Sequence, residues 1–162
     1  MTKPFARQNP LPANTGEMTR EQIDRLLYNQ AYGRLATTDG KRPYIVPITF
    51  AYDGEYIYGQ TNAGAKLDLV RRNPFVCFEA DNMVGMRDWE CVIIHGQFEE
   101  LTGEEAEEAR EILFNRVFPL LSNNMIHAFQ HEVTSTLDNT GRVKETMYRI
   151  KIDKISGRYQ KQ

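Results

Sequence analysis

The sequence holds few of the residues that announce a metal or disulfide scaffold: two cysteines, three histidines and one tryptophan in 162 residues. Cys77 and Cys91 lack the C-x-x-C spacing of a zinc or redox site. In the settings Phe-Val-Cys-Phe and Trp-Glu-Cys-Val-Ile-Ile they read as small buried hydrophobes. His127 and His131 sit four residues apart, but the stretch lacks the glutamate of H-E-x-x-H and no third ligand is signposted, so no metal is expected. His95, within Val-Ile-Ile-His-Gly, reads as a hydrogen-bonded core histidine. No Ser-His-Asp or Cys-His set can be placed, which leaves nucleophilic catalysis unsupported. No run approaches the ~20 apolar residues of a membrane span. Met1 to Asn14 is polar and proline-rich, without the apolar stretch of a signal peptide. Nor is there an excess of one charge: the formal net charge is −2, so no global field draws the chain to nucleic acid or anionic lipid. The expectation is a cytoplasmic protein with neither a membrane nor a nucleic-acid partner.

What is present is an ordinary globular composition, 41% hydrophobic and 26% charged, at the length of one domain. Residues 1–17, with Pro4, Pro10, Pro12 and Gly16, read as a flexible arm, and residues 18–162 as a single domain. Thr19 and Gln22 form a T-x-x-Q capping box, Met18 can staple onto Ile23, and Ile23, Leu26, Leu27 and Ala31 make one apolar stripe ending at Gly33. From there the pattern turns to strands. Arg34 to Thr37 precedes a turn at residues 38–41, and Tyr44 to Tyr52 alternates strictly, with Pro47 marking an edge or bulge. Asp53-Gly54 is a hairpin signal leading into Glu55 to Gln60. A short helix over Lys66 to Arg72 stops at Asn73-Pro74. Phe75 to Ala80 and Trp89 to Leu101 read as strands joined by a loop. Thr102 and Glu105 open a helix to about Phe118 whose glutamates form a solvated face. Residues 119–133 read as a loop and a weaker helix, Asn139-Thr140-Gly141 as a turn, and Val143 to Ile152 as a returning strand. Six or seven antiparallel strands with short peripheral helices close most naturally as a barrel, because closure removes exposed edges. The expected class is mainly β, a split barrel.

Three stretches can carry chemistry. In Gln60-Thr61-Asn62-Ala63-Gly64-Ala65-Lys66 a strand runs through small residues into a helix N-terminus bearing lysine, which suits an anion. It is no P-loop, and a plain strand-to-helix connection is the competing reading. Arg71 and Arg72 lie further along the same helix and can add charge. Tyr32 to Thr37 with Pro47 to Phe50 offers a flat apolar wall for a planar ring, although barrel interiors share that composition. Trp89, beginning a strand beside a charged loop, either packs or lines a ligand mouth.

Taken in order, Gly-Arg-Leu-Ala-Thr, Asp-Gly-x-x-Pro-Tyr-x-Val-Pro-x-x-Phe, Tyr-Asp-Gly, Gly-x-Lys-Leu-Asp, Asn-Pro-x-Val-Cys-Phe-Glu, the tryptophan and Val-Ile-Ile-x-Gly resemble the pyridoxamine 5′-phosphate oxidase-like flavoproteins, nearest the nitroimidazole-resistance (Nim-type) branch. The likeness covers about residues 19–118, and the Tyr148 to Ile152 strand agrees with it. It implies a split-barrel homodimer with FMN at the subunit interface; haem or a deazaflavin are lesser alternatives. It assigns Arg34, Leu35, Ala36, Thr37, Pro47, Ile48 and Thr49 to the isoalloxazine and ribityl chain. Gln60, Thr61 and Lys66 fall to the ribityl hydroxyls and phosphate, and Trp89 and Cys91 to the approach from a later strand. Nim-type relatives often have histidine where this chain has Gln60. The basic C-terminal substrate motif of the true oxidases has no counterpart in Asp153 to Tyr159, so oxidation of vitamin B6 is not expected. The implied activity is an FMN-dependent oxidoreductase passing electrons from a small-molecule redox partner to a planar acceptor such as a nitro compound. Its rivals are a barrel that stores flavin or haem without turnover and one without a ligand.

Overall fold

The structure is a computed structural model that describes residues 14–121 and 144–161. Strand β1 is Thr15–Glu17, helix α1 is Arg20–Asn29, and strands β2 and β3 are Tyr32–Thr38 and Pro43–Thr49. A two-residue strand β4, Ala51–Tyr52, leads into β5, Tyr56–Thr61, and helix α2, Ala65–Arg72. Strands β6 and β7 are Phe75–Gly85 and Asp88–Leu101; helix α3 is Gly103–Leu121, and β8 is Thr146–Gln160.

All pairing is antiparallel, in the order β3-β2-β6-β7-β8-β5-β4, with β1 also on β8. The two terminal strands of that order, β3 and β4, are separated in the chain only by Phe50. The sheet must therefore curl until its far edges come together, which makes the split barrel. Pro47 stands on the edge strand β3, where a missing N–H breaks no ladder.

One core fills the inside of the curl. Ile23, Leu26 and Leu27 of α1, Leu67 and Val70 of α2, and Leu35, Phe50, Ile57, Phe78, Val92, Ile94, Tyr148 and Ile150 of the sheet share a single cluster. Each such fully buried side chain contributes roughly 1.5–3 kcal/mol. The α1 entry is as the sequence foretold. The Thr19 side chain accepts from the Gln22 N–H, Gln22 Oε1 accepts from the Thr19 N–H at 2.8 Å, and Met18 and Ile23 are buried together. A second cluster lies outside the curl: Ala106, Ala109, Leu113 and Val117 of α3 pack on Ala51, Tyr58, Leu101 and Met147. Glu104, Glu105, Glu107, Glu108 and Glu111 of α3 are all exposed, as a solvated face requires.

The structure corrects several expectations. Residues 15–17 are not part of a loose arm but pair with Arg158, Tyr159 and Gln160. Gly33 does not stop α1, which ends at Asn29; it lies buried within β2, where a Cβ would collide with the Phe78 ring. The stretch after Ala80 is strand rather than loop, because the β6–β7 ladder continues to Gly85↔Asp88 and turns over two residues. The returning strand continues to Gln160, and α3 to Leu121. With β1 and the short β4 the described strands number eight. His95 is exposed, not a core histidine, and Cys77 and Cys91 are half-buried. The weaker helix, the 139–141 turn, His127, His131 and Val143 lie outside the described residues.

Candidate functional site

Side-chain alternation decides what each strand residue faces. On β2, Leu35 and Thr37 turn to the core, while Arg34 is exposed and Ala36 half-buried. On β3, Ile48 turns inward, with Pro47 exposed and Thr49 half-buried. Val76, Phe78 and Ala80 of β6 are buried, leaving Phe75, Cys77, Glu79, Asp81 and Met83 on the opposite face. On β7, Val92 and Ile94 turn inward, and Trp89, Cys91, Ile93 and His95 outward. Arg34, Ala36, Pro47, Thr49, Trp89 and Cys91 thus share one outer face. The side chains of Leu35, Thr37 and Ile48 do not, so only their backbone is available there. Helix α3 covers the outer side of β4, β5 and β8. The β3-β2-β6-β7 side carries instead Ile45, Phe75 and Met83, at 64%, 62% and 63% exposure.

In the middle of that face is a polar cluster. The Arg34 guanidinium donates from Nη1 to Asp81 Oδ2 at 2.8 Å and to Glu79 Oε2 at 3.3 Å, and the Cys91 thiol donates to Glu79 Oε1 at 3.4 Å. The register produces this meeting, since Arg34 is opposite Glu79 and Asp81 opposite Cys91. Burial, and then the Asp81 charge, hold the Glu79 carboxyl above its ordinary range. Burial, helped by Glu79, pushes the Cys91 thiol up to about 12, so it is no thiolate nucleophile at neutral pH. Trp89 stands further along the face, its indole Nε1 donating to Gln160 Oε1 at 3.2 Å.

Gln60, Thr61 and Lys66 come together at the junction of β5 and α2. The Thr61 hydroxyl is buried and donates to the Asn62 carbonyl at 3.0 Å. Lys66 lies in the first turn of α2, at the positive end of the helix dipole. Its ammonium is half-buried, 5.7 Å from the centroid of the Tyr148 ring, and forms no ion pair with a carboxylate among the described residues. Burial, and then the Lys144 charge, bring its pKa down to about 8. Lys144 is remote in the chain, so no local sequence pattern ties it to this junction; its backbone N–H donates to Gln60 Oε1 at 3.3 Å. Asn62 Oδ1 accepts from the Glu145 N–H at 3.2 Å, tying the same two segments together. Arg71 and Arg72 do not join this site: Arg71 is held by both Glu100 oxygens, at 2.6 and 3.0 Å, and Arg72 donates to the Asp68 carbonyl.

Tyr148 forms the floor of the junction. Its ring stacks on Phe98 at 4.4 Å and lies across Gly59, where a Cβ would meet the hydroxyl. That hydroxyl is buried without a partner among the described residues, as is Thr37 Oγ1. An orphaned buried hydroxyl costs roughly 1–3 kcal/mol. Tyr148→Phe is therefore expected to leave the unliganded protein as stable or more so, by up to ~1–3 kcal/mol, in urea unfolding. A destabilised variant would mean that the hydroxyl has a partner.

The family model of pyridoxamine 5′-phosphate oxidase matches residues 19–159. The chain belongs to that family. A curated relative is an uncharacterised protein of Rhizobium meliloti (strain 1021), 34% identical over 84 residues. That match spans 52% of this chain, which covers 56% of the relative's length. Among solved structures, an FAD-binding protein of Mesorhizobium loti superposes with a TM-score of 0.73 at 22% identity, covering 91% of this chain and 98% of the other. A candidate 5-nitroimidazole antibiotic resistance protein of Bacteroides thetaiotaomicron gives 0.65 at 17% identity, over 90% and 87% of the two chains. These likenesses show the same fold as the split barrel of this chain.

Proposed function

We propose that this chain binds a flavin mononucleotide and works as a homodimeric oxidoreductase toward small planar acceptors. The observation that carries the reading is the Lys66 cradle: a half-buried ammonium without a carboxylate partner among the described residues, beside Lys144 and at a helix N-terminus. Such a site is electrostatically incomplete until an anion arrives, and a phosphate monoester supplies two negative charges. The residues present fit the group. Lys66, Lys144 and the first N–H groups of α2 would hold the phosphate, and Gln60 and Thr61 the polyol. Arg34, Ala36, Pro47, Thr49 and Cys91 would face the ring. A bound flavin supplies the electron-accepting and electron-donating chemistry, and this chain's residues bind it, orient it and set the charge around it. The FAD-binding neighbour supports a flavin on this fold.

The homodimer accounts for the uncovered side of the sheet. A face carrying Ile45, Phe75, Met83 and Ile93 around a half-buried polar centre is unusual for a lone barrel, and a second copy of this chain would cover it.

Freshly purified protein is expected to show the two-band yellow spectrum of a flavin, to bleach under anaerobic NADH or NADPH, and to sediment as a dimer. A haem Soret band, or a colourless protein that takes up no added FMN, would remove the flavin reading. Colour that persists with both nucleotides would remove turnover by those donors and favour a holding role.

A further inference from the structure

Arg34, Glu79, Asp81 and Cys91 form a compact ionisable cluster on the bare face of the sheet, and the assigned binding roles leave two of its members unused. One guanidinium stands against two carboxylates, at 2.8 and 3.3 Å, so the fully ionised cluster carries a net negative charge. Glu79 and Asp81 occupy alternate positions of β6 and present both carboxyls to the same side of the sheet. Glu79 is enclosed from three strands. Arg34 of β2 holds one oxygen and Cys91 of β7 the other, while Asp81 and Cys77 of β6 flank it. Beyond Arg34, β3 presents Pro47, which carries no charge, and beyond Cys77, β7 presents His95.

We propose that Glu79 is the proton-holding residue of the flavin face, taking up a proton when negative charge gathers there and releasing it when that charge leaves. This rests on the flavin reading above. The step is simple to balance. The electrons come from the reductant, a reduced pyridine nucleotide or a chemical substitute, and one solvent proton joins a Glu79 carboxylate oxygen to form an O–H bond. That bond breaks, and the proton returns to solvent, when an acceptor removes the electrons. No bond between heavy atoms changes at Glu79. Arg34 alone would attract negative charge to the face, but two carboxylates cancel that attraction. A protonated Glu79 restores neutrality without moving a side chain. The Cys91 thiol stays protonated itself and donates to Glu79, which, like the Arg34 charge, favours the carboxylate and so favours release of the proton. Burial and Asp81 already bias Glu79 toward the protonated form.

The test uses Glu79→Gln and Asp81→Asn in two measurements. The first is an infrared pH titration of carboxyl bands in the protein without flavin. One carboxyl is expected to titrate above the ordinary glutamate range, to vanish in Glu79→Gln and to move down in Asp81→Asn. The second measures protons taken up, with an indicator dye, when FMN-loaded protein is reduced by dithionite. At a pH just above the midpoint found for that carboxyl, where Glu79 starts ionised, wild type is expected to exceed Glu79→Gln, with the difference approaching about one proton per electron pair. Absence of the high carboxyl, or equal uptake by the two proteins, overturns the proposal; equal uptake with FMN bound leaves the flavin reading standing. Folded protein that shows the high carboxyl but binds no FMN overturns the flavin reading, and with it the role given to Glu79. Should Glu79→Gln fail to fold, Asp81→Asn decides, since it keeps Glu79 and its other partners: an unmoved carboxyl overturns the proposal.

Discussion

Lys66→Ala is expected to weaken FMN binding by ~10–100-fold while leaving the unliganded protein folded and, near neutral pH, slightly more stable. The two effects have opposite signs for one reason. A hydrogen bond to a charged group is worth roughly 1.5–3 kcal/mol, which corresponds to that loss of affinity. Without the anion the same ammonium is a half-buried charge, whose pKa burial and Lys144 bring from 10.5 to about 8. The sign for stability follows from proton binding. Between about 8 and 10.5 the unfolded chain holds more protons at this site than the folded one, so wild-type stability rises with pH through that window. Below about 8 both states are protonated and the full cost is present, which is where alanine relieves it. A phosphate stabilises the charged form, so binding raises the Lys66 pKa and FMN affinity falls as pH climbs past 8. Lys66→Arg keeps its charge and is expected to lose that pH dependence while retaining much of the affinity. Flavin fluorescence titrations at pH 7 and 9 on the three proteins measure the affinities, and urea unfolding of the unliganded proteins measures the stabilities. Equal affinity of wild type and Lys66→Ala would take the phosphate away from this cradle.

Elements governed by local chemistry could be read from the sequence, and those governed by distant partners could not. The α1 capping box, the Asp53-Gly54 turn and the α2 stop at Asn73 are contacts within a few residues, and the structure shows each of them. Strict alternation from Tyr44 also read correctly, with Val46, Ile48, Phe50 and Tyr52 toward one cluster and Ala51 toward the other; it could not show that at Phe50 the chain crosses from one edge of the sheet to the other. The β6–β7 tip was missed because Asp, Asn, Met and Gly imitate loop composition; its strand character comes from pairing with Trp89, Glu90 and Cys91. Likewise, the returning strand expected to end at Ile152 runs on to Gln160 because β7 supplies its partner. For the site, the lysine and the small residues at the helix N-terminus were legible. Lys144, the Tyr148 floor and the Arg34–Glu79–Asp81 cluster were not, because strand pairing joins them across long stretches of chain. The alternate acids in Phe-Glu-Ala-Asp were the available signal for the last of these. Their common face identifies them only once β2 is known to lie alongside.

That same pairing sets the second large effect. Phe78→Ala is expected to cost ~3–5 kcal/mol of stability, a large share of the roughly 5–15 kcal/mol typical of a domain. Phe78 is fully buried, meets the Phe50 ring at 4.8 Å and 69°, and reaches over Gly33 into the space a Cβ would occupy there. Its cross-strand partner is Leu35, and the next pair along the ladder is Arg34 with Glu79. Loss of the ring therefore loosens the backbone beneath the polar cluster on the other side, and the Cys91 thiol is expected to react faster with alkylating agents as Glu79 withdraws. Gly33→Ala attacks the same contact from the opposite strand, at about 1–3 kcal/mol for overpacking. A cycle joining Gly33→Ala with Phe78→Leu separates these contributions. The smaller side chain vacates part of the space, so the methyl is expected to cost less in the double variant, by about 0.5 kcal/mol or more. Part of the cost persists because the Glu79 carbonyl oxygen, 2.6 Å from the added Cβ, belongs to the backbone and cannot swing aside. Strictly additive urea midpoints would show that the ring and the glycine do not share this space.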